Sequence, residues 1–265
     1  MSIEELFCSS KPIIAMLHLQ ALPGDPAYAS GSGMSQVVKA AEKDLLALQE
    51  GGVDAVLFSN EFSLPYQTKV DAVIVGAMAR VIAELKSDIE VPFGVHVISD
   101  AEATIELAAA TEADFVRAVF TGAYAGETGI RSLDIAAILR RKKALELNDL
   151  KMFYMINAES DGDVSARDLS EVAQAVVFKC SPDGLCVSGL HAGQSVETDL
   201  MSNIKSVSRG TPVFCNTGCN KDNIAEKLST ADGAFVGTAF KKRGEFNEPV
   251  DANRVKSFMK EVKLF

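Results

Sequence analysis

Eight short apolar runs, each closed by Gly or polar residues and each followed by a helical stripe, predict that this chain folds as a (β/α)8 TIM barrel. The predicted single domain spans residues 1–265, with 1–11 as an N-terminal extension. Length agrees, since 265 residues suit one large α/β domain. So does an absence: the competing doubly wound sheet would carry a glycine-rich turn after its first strand, and that stretch here reads HLQALPGDP.

Taken in order, PIIAML from Pro12 is the first strand. After a long loop a helix begins near Met34, with Val38, Ala41, Leu45 and Leu48 on one face. GGVDAVLFS enters the second strand, and DAVIVGAMARVIAELKS sets Ile74, Met78, Val81 and Leu85 in one stripe. VPFGVHV is the third strand, and Asp100 caps the helix DAEATIELAAATE. DFVRAVF with a helix over 133–147, LKMFYMI with one over 167–178, and GLCVS with one over 198–208 complete units four to six. PVFC and GAFVG are strands seven and eight, and DANRVKSFMKEV closes the chain, packing Val255, Phe258, Met259 and Val262.

The balance of charge narrows the function. At a net −10 and pI of about 4.9, the surface cannot displace counterions from a nucleic-acid backbone. No apolar run reaches a membrane span, and MSIEELF carries two glutamates where a secretory signal needs positive charge, so a cytoplasmic protein is expected. Five cysteines with no CxxC pair read as reduced thiols; Cys215 and Cys219 flank one of the turns below, where a redox or metal role is an alternative to burial. A symmetric homo-oligomer is expected on general grounds.

In such a barrel the site lies at the carboxyl ends of the strands. Reading those ends gives His18, Asn60 and Glu61, His96, Arg117, Asn157 and Glu159, Ser188 and Gly189, and Asn216, with His191 in the loop after strand six. Polar groups gathered at one rim of an apolar cylinder indicate a site. After strands seven and eight come two turns of small residues, Thr217–Gly218–Cys219–Asn220 and Gly237–Thr238–Ala239, the place where such barrels hold phosphate. Asn220 is expected to cap a helix starting near Lys221, and the run Lys241–Lys242–Arg243 to add positive charge. Arg117, flanked by apolar residues, must pair with a carboxylate such as Glu61 or Glu159 or reach a ligand anion. His18, Glu61 and His96 are the candidates for proton transfer, since a carboxyl group among apolar neighbours titrates nearer neutrality. No lysine ends any of the first seven strands, which argues against Schiff-base chemistry. No cofactor is predicted. Asp25 and Glu61 with His18 and His96 could hold a divalent metal, without a tight ligand motif to support it.

The segments MLHLQALPGDP, GGVDAVLFSNEFSLPY, RAVFTGAYAGETG, CVSGLHAG, NTGCNKDN and DGAFVGTAFKKRGEFNEPVD together resemble the BtpA/SgcQ family, closest to its SgcQ branch. The resemblance implies a (β/α)8 barrel. Family members are associated with sugar-uptake gene clusters or, in the BtpA branch, with photosystem I biogenesis, and some carry the label phosphoribosylanthranilate isomerase. That isomerase places a Cys-Gly base after strand one and an Asp acid at the end of strand six; here those positions hold His18-Leu19 and Ser188-Gly189. The resemblance thus argues against the isomerase reaction itself. It also has departures: His96 stands where the family has Asn, and MINAESDG replaces a His- and Lys-rich segment. The leading expectation is an isomerase, epimerase or lyase acting on a small phosphorylated carbohydrate. A metal-assisted hydrolase of nucleotide-like compounds and a non-catalytic assembly factor are the alternatives.

Overall fold

The computed structural model describes residues 1–29, 31, 33–159, 161–189 and 195–263. Eight parallel strands close into a barrel: β1 (Ile13–His18), β2 (Ala55–Ser59), β3 (Phe93–His96), β4 (Phe115–Ala118), β7 (Lys151–Met155), β9 (Gly184–Val187), β10 (Val213–Cys215) and β11 (Gly233–Val236). β1 pairs with both β2 and β11, which completes the circle. The intervening helices are α2 (Gly33–Gly51), α3 (Ala72–Leu85), α4 (Ala101–Thr111), α5 (Ile135–Ala144), α6 (Leu169–Cys180), α7 (Thr198–Val207), α8 (Ile224–Leu228) and α9 (Ala252–Val262). Every stripe residue expected on α2 and α3 is buried, and the Asp100 carboxylate accepts from Ala103 N–H at 3.0 Å as the expected cap.

Alternation along each strand separates two cores. Ile13, Ala15, Leu17, Val56, Phe58, Val95 and Val116 face the helices. Ile14, Met16, Leu57, Phe115, Phe153, Cys186, Phe214 and Phe235 fill the barrel. Phe153 meets Phe115, Phe214 and Phe235 edge-on at 5.8, 5.0 and 5.6 Å between ring centres. Room for these rings comes from Gly94, Gly184 and Gly233, where an added Cβ would stand 2.4–2.7 Å from Phe115, Phe153 or Phe214. Bulky and absent side chains thus alternate around the cylinder.

Two features go beyond the sequence reading. Residues 1–11 are not a loose extension: α1 (Ile3–Phe7), held by a Ser2–Glu5 capping box, seats Phe7 at the amino end of the barrel, 5.4 Å from the ring of Phe115. The segment after β4 forms strands β5 (Ala123–Gly126) and β6 (Gly129–Ser132), which join β8 (Gly162–Asp163) in a small antiparallel sheet above the mouth.

A repeated clasp ties the amino end. Asp54, Asp114, Asp183 and Asp232 precede every second barrel strand in chain order (β2, β4, β9 and β11). Each carboxylate accepts from the N–H of the residue that starts or nearly starts the strand before it: Ile13, Phe93, Met152 and Val213, at 2.7–2.9 Å. The same aspartates donate their own N–H to the carbonyls of those four residues.

Candidate functional site

Interior parity carries five of the strands upward from a residue facing the barrel interior to a polar residue at the mouth. Met16 is followed by His18, Leu57 by Ser59 and then Glu61, Gly94 by His96, Phe115 by Arg117, and Phe214 by Asn216. The mouth holds a cavity of about 600 Å3 lined by His18, Glu61, Arg117, Glu159 and Asn216. Thr217–Asn220, Gly237–Ala239, Gly244 and Arg254 line it as well. A second lobe of about 330 Å3 shares Glu61, Arg117 and Glu159 with the first and adds His96.

Arg117 is the hub. Its side chain is buried, with Nη1 donating to Asn216 Oδ1 at 2.9 Å and Nη2 to His96 Nδ1 at 3.1 Å, and its guanidinium lies 5.1 Å from the ring of Phe235. Of the two alternatives expected for it, the ion pair with Glu61 or Glu159 is not formed: no carboxylate of the described residues lies within ion-pair distance of it, and Nε has no hydrogen-bond partner among them. Short polar residues, an amide and an imidazole, occupy the places where a carboxylate would neutralise it. A buried cation so placed favours an anion in the cavity beside it.

The remaining groups divide by protonation. His96 accepts from a guanidinium, which puts its own proton on Nε2; burial, then the charges of Arg117 and Arg131, hold its pKa well below the usual value. His18 is likewise kept neutral by burial and by Lys241 and Arg117. Its Nε2 stands 3.8 Å from Glu61 Oε2, and Nδ1 has no partner among the described residues. Burial raises both carboxyl groups. Glu61, which accepts from Ser59 Oγ at 3.3 Å, is raised despite the nearby Arg117. Glu159, accepting from Asn216 Nδ2 at 3.1 Å, is pushed up to about 6. A carboxyl group titrating there can both take and give a proton near neutrality. Burial thus holds the two histidines neutral and raises the two carboxyl groups at the same mouth.

Other predicted residues are struts. Asn60 is buried away from the cavity, its Oδ1 accepting from Ile98 N–H at 2.7 Å. Asn157 exchanges two hydrogen bonds with the backbone of Ser188, at 2.8 and 2.9 Å. Ser188 Oγ accepts from Asn216 Nδ2, and Gly189 N–H donates to Thr217 Oγ1, so both brace the first small-residue turn. His191 lies outside the described residues. Asp25 does not join Glu61 or the histidines: its carboxylate accepts from Leu22 N–H and Ser63 Oγ. Among the described residues no group of three His, Cys, Asp or Glu side chains could hold a metal ion.

Both turns differ in detail from the sequence reading. Asn220 does not cap a helix at Lys221; its Oδ1 accepts from Asp222 N–H, and α8 begins only at Ile224 and runs five residues. Gly218, at φ +69, turns the chain there. Gly237 passes so close to His18 that a Cβ would come 3.0 Å from the imidazole. The basic run does not face the cavity. Lys241 is buried, donating to the Phe246 carbonyl and lying over the adjoining rings of Phe62 and Phe246, and exposed Arg243 pairs with Glu245 and Glu248. The cation beside the turns is Arg254, in the first turn of α9, whose Nε donates to the Ala239 carbonyl at 3.0 Å. Its signal in the sequence was one arginine in DANR, indistinguishable from any solvated helix charge. Cys215 and Cys219 are buried with sulfurs 3.1 Å apart.

A family model described as the BtpA family matches residues 9–264. The chain is 45% identical to the sgc region protein SgcQ of Escherichia coli (strain K12), over 98% of this chain and 97% of that one. It is 27% identical to the photosystem I biogenesis protein BtpA of Synechocystis, covering 98% and 90%. Among solved structures, a phosphoribosyl anthranilate isomerase from Thermococcus kodakaraensis superposes with a TM-score of 0.56 at 14% identity, covering 96% and 99%. (S)-3-O-geranylgeranylglyceryl phosphate synthase from Thermoplasma acidophilum, in complex with sn-glycerol-1-phosphate, does so at 0.59 and 12%, covering 100% of both. At such identities these likenesses establish the barrel alone. No helix of the described residues is long and apolar enough to cross a membrane.

Proposed function

This chain belongs to the BtpA family, and we propose that it is an enzyme acting by proton transfer on a small phosphorylated carbohydrate, as an isomerase, epimerase or lyase. One observation carries the reading: a single cavity is lined both by the two small-residue turns with Arg254 and by the raised carboxyl groups of Glu61 and Glu159. The turns and Arg254 suit a phosphate. Glu159 and Glu61 then act as acid and base, while neutral His18 and His96 hydrogen-bond to the sugar and Arg117 balances charge developing on the carbon skeleton. Two solved barrels of related shape are named for phosphorylated compounds, which is support by analogy of fold.

A thermal-shift series with inorganic phosphate, pentose phosphates and hexose phosphates tests this. At about one hundred times Kd a ligand stabilises the fold by ~2.7 kcal/mol, a shift of about 5–10 °C for a chain this size. Gly237→Val, which crowds His18, should abolish the shift. Absence of any shift in the wild type removes the reading. An assembly role, favoured by the name of the Synechocystis relative, would then be pursued by isolating protein partners.

A further inference from the structure

Two thiols close the turn after β10. Cys215 ends that strand, and Gly218 at φ +69 folds the chain back so that the sulfur of Cys219 stands 3.1 Å from that of Cys215. Cys219 donates its S–H to Cys215 Sγ; this hydrogen bond lowers the pKa of Cys215 against the opposing effect of burial, and together with burial it raises that of Cys219. A disulfide bond is about 2.0 Å long, so the sulfurs have about 1 Å to travel. Access comes through Cys219, which lines the cavity, whereas Cys215 does not and is fully buried. The remaining cysteines lie elsewhere: Cys8 is exposed, Cys180 ends α6, and Cys186 points into the barrel.

We propose that Cys215 and Cys219 are a site of reversible oxidation by hydrogen peroxide, forming a disulfide that reshapes the turn at the mouth. With Cys215 as thiolate, the Cys219 proton passes to it along their hydrogen bond as Cys219 Sγ attacks a peroxide oxygen. The O–O bond breaks; one oxygen stays on Cys219 as a sulfenic acid and the other leaves as hydroxide. Cys215 Sγ then attacks the Cys219 sulfur, the S–O bond breaks, and water departs with the Cys215 proton. The two sulfurs have together lost two electrons, and the peroxide has gained them. The ring so closed encloses Asn216, Thr217 and Gly218. Asn216 accepts from Arg117 and donates to Glu159, while Thr217 and Gly218 line the cavity, so drawing Cys219 toward Cys215 shifts both the turn and the amide that joins these charged groups. The effect on phosphate rests on the reading of this turn as its seat; the disulfide itself does not.

Peptide mass tests the bond. Both cysteines fall on one tryptic peptide, since Arg209 and Lys221 are the nearest basic residues on either side. The reduced protein is treated with equimolar hydrogen peroxide, denatured in the presence of iodoacetamide and digested. That peptide should carry no alkyl group and weigh two hydrogens less than its reduced form, and dithiothreitol should restore alkylation. In a calorimetric titration the oxidised protein should bind inorganic phosphate about tenfold more weakly than the reduced one. Cys215→Ala should keep the reduced protein's phosphate affinity through the same treatment. A peptide still alkylated at both cysteines after peroxide, or one carrying oxygen that dithiothreitol does not remove, overturns the site. Unchanged phosphate affinity in the disulfide form overturns its effect on the turn, as does an equal loss in Cys215→Ala. Should the reduced protein bind no phosphate, the phosphate reading falls together with that effect, while the peptide mass decides the disulfide separately.

Discussion

At the amino end of the barrel Phe7, Phe115, Phe153, Phe214 and Phe235 meet edge to face over glycines that make room for them. One step further up the same strands the mouth holds a buried arginine without a carboxylate, two neutral histidines, and orphan atoms at His18 Nδ1 and Arg117 Nε. The same eight strands support both. The lower end is packed for stability, and the upper end retains polar groups whose partners the protein does not supply. Unpaired buried polarity is costly, and two of the three orphan atoms among the described residues, with Tyr154 OH in the outer core as the third, lie at the strand ends where barrel enzymes act.

The comparison can be broken from below first. Phe153→Ala removes the ring that touches three others and should lower stability by about 3–5 kcal/mol in a denaturation experiment, leaving phosphate affinity unmoved. At the mouth the next effect depends on pH. Glu159 titrates at about 6 in the folded chain against an ordinary 4.5, so the protonated form is the one that folding favours. Its contribution is full below about pH 4.5 and is lost as pH rises through about 6, amounting to ~2 kcal/mol. Glu159→Gln should flatten the stability profile over that window by this amount, and an unchanged slope would show that the carboxyl group is not perturbed. Arg254→Met should weaken inorganic phosphate about tenfold in a titration. Smallest of all, replacing Lys242 and Arg243 by Ala should change phosphate affinity not at all, because neither lines the cavity.

Much of the fold was legible because buried parallel strands are short apolar runs and the helices between them carry clear stripes. His96 shares strand parity with Gly94, and Arg117 with Phe115, so the alternate residues of a strand that buries Gly94 or Phe115 point into the barrel. What the sequence hid is instructive. α1 is too short for a stripe, although the Ser2–Glu5 pair was a readable capping box. The β5–β6 hairpin lies in a glycine-rich stretch that looks like loop, and its small sheet depends on β8, far along the chain. Glu61 and Asn60 are neighbours, yet one faces the cavity and the other braces Ile98, a division that only the bend after β2 decides. Three consecutive basic residues suggested an anion site, but local charge does not reveal direction. Lys241 turned inward over two adjoining rings, and Arg254, distant in sequence, came to the turns instead.

The four aspartate clasps divide the barrel into units that engineering can use. Each closes one strand–helix–strand–helix quarter upon itself, by the same pair of hydrogen bonds, at four places around the circle. Circular permutants with new termini between quarters keep every clasp within one continuous segment, and the same three internal boundaries are the natural cut points for recombining this barrel with its kin.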